Sequence, residues 1–218
     1  MIKTRLNFDS SVLDKIVSLK EKAIVHENEE EANYYWLLEH IFVVKAMFIN
    51  TFSKIRSKDY ENAWNLLDKI DIFISQLINN CDEAWLNQFD IGFIRTIIPE
   101  YQKLFPYKFF FSREGIIKKE ICSICGEEIK LRGGCKHRVG KLYMGEICYA
   151  EVKEYEPKCI AIVTNPFDKY AILKSQNQEF DYSILERAMA KIRDPYQCFK
   201  VEKKYILNKE VEQKHSLE

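Results

Sequence analysis

Residues 122–148, CSICGEEIKLRGGCKHRVGKLYMGEIC, hold four of the chain's seven cysteines and five of its seven glycines. A span so rich in thiols and flexible backbone, and so short of apolar residues, cannot order itself by burying a core. Metal binding can supply the missing free energy, because ligand capture and local folding are then one event. Cys122 and Cys125 form a C-x2-C pair followed by Gly126. That spacing lets a tight turn aim two thiolates at one ion, and a glycine just after the second cysteine tolerates the bend.

Cys135 and His137 follow ten residues later, and then Cys148, so five candidate donors serve an ion that takes four. Two sets are open. Cys135 and His137 complete the site if the chain between them is extended, since side chains two apart then face the same way. Alternatively His137 and Cys148 complete it, with Cys135 packed nearby. Gly140 and Gly145 favour the second set, because they stand where the chain must turn back between His137 and Cys148. Thiolates with an imidazole suit Zn2+ better than magnesium or calcium, and histidine in this arrangement is less usual for iron. A redox dithiol would leave the other donors without a role. A surplus of donors also argues for structural zinc, since a catalytic ion keeps an open position.

Enzymatic motifs are missing. There is no H-E-x-x-H, and the deaminase order of H-x-E before P-C-x-x-C does not occur. Gly134, Gly140 and Lys141 fail as a phosphate loop: five residues separate the glycines, and Leu142 stands where a magnesium-binding hydroxyl belongs. No nucleotide cofactor is expected, and no catalytic residue is assigned. The alternative is a metal-dependent hydrolase or nuclease using Glu127, Glu128 or Glu146 beside an open coordination position.

The loop 130–141 carries Lys130, Arg132, Lys136, Arg138 and Lys141 without an acidic residue. These five cations are candidate phosphate contacts for nucleic acid, with Tyr143 available for base stacking. They equally serve to balance thiolates gathered on one dication. Lysines plus arginines equal aspartates plus glutamates, 33 against 33, so no global field draws the chain to a polyanion.

The remainder reads as an α+β chain: an N-terminal helical bundle followed by a small zinc-stabilised, β-rich module with a C-terminal helix. Helices are expected over 9–25, over 34–52 with a capping signal at Asn28 and Glu31, and over 57–78 with Asp59 as cap. The opening of the third resembles half a tetratricopeptide unit, but no repeat follows. A further helical stretch is expected to break near Pro99. Composition changes at about residue 107, which divides the chain into 1–106 and 107–218. In the second part, CYAEVKEY and CIAIVTN read as strands separated by Pro157, residues 181–193 as a helix, and CFKVEKKYIL as a closing strand. The final HSLE reads as a purification-tag junction.

The longest apolar run, 41–49, is interrupted by Lys45, and the N-terminus lacks an apolar signal region, so neither a membrane span nor secretion is expected. An odd cysteine count with ligand-like clustering fits a reducing cytoplasm.

The pattern C-x2-C-G, then C-x-H-x2-G-x2-Y-x-G-x2-C, resembles a zinc-finger-like motif of uncharacterised bacterial and bacteriophage proteins. Its positions here are Cys122, Cys125, Gly126, Cys135, His137, Gly140, Tyr143, Gly145 and Cys148. The resemblance covers about a fifth of the chain and implies a metal site without naming an activity. Lys136 stands before the histidine, where an acidic residue often precedes it, which removes the Asp-His of an HNH nuclease. The expected role is therefore non-catalytic binding of a protein partner or of nucleic acid.

Overall fold

A computed structural model describes residues 10–130, 132–166, 169–175 and 179–191. Five helices come first: α1 (Ser10–Val25), α2 (Glu29–Arg56), α3 (Tyr60–Asn80), α4 (Glu83–Asn87) and α5 (Ile91–Gln102). Strands β1 (Phe110–Cys122), β2 (Leu142–Tyr143), β3 (Glu146–Ile147) and β4 (Ala150–Val163) follow, then α6 (Ser183–Lys191). The arrangement is the expected α+β order. Among the described residues, no helix is long and apolar enough to cross a membrane.

α2 is the centre of the bundle because apolar residues cover most of its circumference. Trp36, Leu38, Ile41, Val44, Phe48 and Phe52 are all buried, and α1 and α3 pack on either side. It starts as the sequence indicates: the Glu31 amide donates to Asn28 Oδ1 at 3.2 Å. At α3 the cap residue behaves differently. Asp59 takes Lys54 Nζ at 2.7 Å and Asn62 Nδ2 at 2.8 Å, and makes no side-chain cap bond to the backbone.

Two expectations are corrected. Pro99 does not break a helix; it lies inside α5, while the interruption falls before it, at Asp90 with φ 62°. Pro99 is exposed, so the carbonyl deprived of its partner faces water rather than a dry core. Pro157 does not separate two strands either. β4 runs through it from Ala150 to Val163, with Pro157 opposite Gly115 at a break in register. A two-stranded ribbon has only edge strands, so a proline facing outward forfeits no ladder bond.

The parts on either side of residue 107 share one core. Trp64 of α3 stacks on Phe110 with ring centroids 5.9 Å apart, meets Tyr107 edge-on at 5.0 Å, and donates from Nε1 to the Lys169 carbonyl at 2.8 Å. α6 returns to α2, burying Leu185 and Met189, and Tyr60 stacks on Tyr182 at 3.8 Å. It occupies most of the expected 181–193 helix; the closing strand and HSLE lie outside the described residues.

β1 and β4 form an antiparallel ribbon whose middle stands clear of the bundle: residues 113–119 are exposed throughout. Its base is held by Trp64 near the start of α3, and its far end reaches the loop module at Asn80, where α3 ends. Twelve strand steps span roughly 40 Å, whereas sixteen helical steps span about 24 Å. The ribbon is thus longer than the stretch of α3 between Trp64 and Asn80, and register breaks after Glu114, Ile117 and Lys119 allow it to bend.

Candidate metal centre

The end of β1 turns sharply through Cys122–Gly126. The Gly126 amide donates to the Cys122 carbonyl at 2.8 Å, the Cys122 amide donates to the Glu127 carbonyl at 2.8 Å, and the Ile124 amide points at Cys122 Sγ at 3.4 Å. Gly126 has φ +72° in open space, so here the backbone conformation itself selects glycine. The chain then pairs back on β1 through Ile121 and Glu128, and Gly134 closes against Ile129. A Cβ on Gly134 would lie 2.7 Å from the Glu128 carbonyl oxygen, which excludes any side chain there without movement.

The next ligands come from 135–137 and from a hairpin. Met144 and Gly145, with φ 47° and 76°, form a two-residue turn between β2 and β3, the combination of positive angles that a type I′ turn requires. Two bonds close its base: the Cys148 amide to the Lys141 carbonyl at 2.8 Å, and the Gly140 amide to the Cys148 carbonyl at 2.7 Å. This returns Cys148 to the turn at Cys122, where the Ser123 amide donates to the Tyr149 carbonyl and the Tyr149 amide to Ser123 Oγ, both at 3.0 Å.

The ligand atoms of Cys122, Cys125, Cys135 and His137 all lie within 4.8 Å of one another. Cys148, fully buried, brings its Sγ to 3.6 Å from Cys122 Sγ; His137 Nδ1 is 3.6 Å from the same sulfur. Around a tetrahedral zinc, sulfurs bound at about 2.3 Å are separated by about 3.8 Å. All five expected donors thus converge, and the set that closes mutually contains Cys135 as well as His137. The chemistry of three thiols and an imidazole fits a metal ion of the zinc type.

Burial opposes ionisation of Cys122, but the amides of Cys125 and Ile124 and the neighbouring thiols Cys148 and Cys135 outweigh it and hold the thiol down at about 6. Burial, with the adjacent Cys122, pushes Cys148 up to about 11, and burial likewise raises Cys135. A dication bound among these thiols would displace their protons. All six cysteines among the described residues are free thiols.

Tyr143, read from sequence as a stacking residue, is turned onto the site instead. Its ring meets His137 edge-on at 4.6 Å and its hydroxyl accepts from the Arg138 amide at 2.9 Å. This fixes the imidazole from outside. The five loop cations do not form one free patch. All five are exposed, but Lys130 pairs with Glu128 at 3.1 Å and Lys141 Nζ donates to the Asn79 carbonyl.

The residues that seat the module on the bundle were not legible in sequence. Asn80 donates to the Gly140 carbonyl at 2.8 Å and accepts from the Leu142 amide at 3.0 Å; Asn33 accepts from the Gly145 amide at 2.7 Å. They border a cleft of about 460 Å³ lined also by Leu37, Asn79, Cys81, Lys141 and Leu142. Glu127, Glu128 and Glu146 do not line it. Comparison of the chain with protein-family models, with curated proteins and with solved structures gives no match.

Proposed function

We propose that the chain is a zinc-binding protein of the reducing cytoplasm, in which the ion is structural and the module it organises binds a partner without catalysis. One observation carries this reading: four donors close within 4.8 Å and a fifth thiol stands 3.6 Å from one of them. So many donors leave no open position for substrate or activated water. The resemblance of residues 122–148 to zinc-finger-like motifs of bacterial and bacteriophage proteins points the same way. A hydrolase or nuclease would need a vacant position beside a general base. Glu127 and Glu146 are instead exposed, and Glu128 is engaged with Lys130.

Between the two partner classes, a protein is favoured over nucleic acid. Two of the five loop cations already have partners in the chain, Tyr143 is used on His137, and the chain carries no net charge. A labelled oligonucleotide titrated at two salt concentrations tests this. Weak or no binding at low salt is expected. Tight binding that falls steeply with salt, with a slope reduced by Arg132→Ala and Arg138→Ala while the metal is retained, would instead assign the loop to phosphate recognition.

A further inference from the structure

The ribbon has two unlike faces. At its base Phe110 and Val163, paired across the strands, pack toward the core with Trp64. The residues that alternate with them point the other way, outward from the bundle. Following the register, Phe111 opposite Ile162, then Arg113 opposite Ile160, then Ile117 opposite Tyr155 share that outer face. Tyr155 lies over Gly115, whose added Cβ would fall 2.3 Å from the ring, which fixes the tyrosine on the same side as residue 115. Phe111, Ile117, Tyr155, Ile160 and Ile162 are all exposed, Ile160 by 68% and Ile162 by 61%. Among the described residues nothing covers them. The inward face is more polar beyond the base: Glu114 meets Cys159 there and Lys118 pairs with Glu156 at 2.6 Å, with Ile116 exposed beside them.

We infer that this outer face is a homodimer interface, packed against the same face of a second copy of the chain. Two-stranded ribbons are marginal in water, and one with a largely aromatic and β-branched face gains stability by burying it. The five side chains leave roughly 500 Å² open per copy. Two copies would bury about 1,000 Å², near the lower limit for a stable protein interface. Aromatic and β-branched residues also suit sheet-on-sheet packing at about 10 Å separation. The placement of polar groups is self-complementary. Arg113 and Tyr155 lie at the two outward levels that flank the Gly115–Pro157 pair. A two-fold axis across the ribbon at Gly115 brings each guanidinium to the level of the other copy's tyrosine, a cation over a ring. The ribbon's charges are of both signs, so two copies meet without a like-charge field.

The test is sedimentation of the full, metal-loaded chain from about 1 to about 100 µM, a range that brackets the affinity a small interface supports. A mass rising to two chains is expected, together with concentration-dependent slowing of amide exchange at 111–117 and 155–162. Ile160→Lys with Ile162→Lys should shift the dissociation constant upward at least tenfold, with helical signal and metal content unchanged. Should that pair of substitutions disturb folding, Arg113→Glu, at another exposed position on the face, serves in its place. A wild-type chain that stays monomeric at the highest concentration overturns the inference. So does a dimer indifferent to both variants. A monomer whose outer ribbon is protected from exchange at every concentration also overturns it, assigning the face to a contact within one chain. Metal content is measured on the same samples, so failure of the dimer is distinguishable from failure of the metal site.

Discussion

Cys135 and Cys148 are not equivalent, although both stand beside the same sulfur. Cys135 belongs to the group of four whose donor atoms close on one another, with His137 only two residues away. Cys148 is fully buried, and its backbone closes the hairpin through Lys141 and Gly140. With the proposed ligand set, Cys122→Ser, Cys125→Ser and Cys135→Ser should each reduce bound metal to a small fraction of one ion per chain. Cys148→Ser should retain it. Elemental analysis of the four purified variants checks this, and metal lost from Cys148→Ser but kept by Cys135→Ser would reverse the assignment. The five donors were readable from sequence because ligand spacing is local. Their ranking was not, because it depends on how the chain between Gly126 and Gly140 folds. There Gly134 pairs with Ile129 close under the Glu128 carbonyl, and Cys135 and His137 follow directly from that turn.

At the scale of elements, the 122–148 module is seated on the bundle by asparagines as well as by Leu142, Met144 and Ile147, which pack against the core. Asn80 both donates to the Gly140 carbonyl and accepts from the Leu142 amide, so it substitutes for a strand neighbour at the open edge of β2. Asn80→Ala leaves both groups without that partner. The expected loss is about 2 kcal/mol if neither is rescued by water. Amide exchange at residues 140–147 should accelerate while that of α2 does not; equal rates in the variant and wild type would show that the hairpin is seated by other contacts. No local pattern reveals these pairings, since Asn80 and Gly140 lie 60 residues apart. The helices were legible, because their apolar periodicity answers to one shared core. β1 was largely hidden for the opposite reason. FFSREGIIKKEIC lies in an exposed ribbon with shifts in register, so hydrophobic alternation is not preserved along it. β4 was read as two pieces because Pro157 punctuates a strand that, being an edge, tolerates it.

For the whole molecule, two sources of order meet. Residues 10–105 are held by an apolar core to which Tyr107, Phe110, Leu185 and Met189 also belong. Residues 122–148 contribute few buried side chains beyond Cys122 and Cys148, and the proposed ion is what would hold their ligands together. Stability should therefore divide along the chain. Native mass spectrometry of the purified full chain, with amide exchange followed before and after chelation, measures both halves of this claim. One zinc ion per chain is expected; on its removal, protection should vanish from 120–150 and persist in α2 and α3. A chain that carries no metal, yet protects 120–150 as strongly with chelator as without, would contradict it.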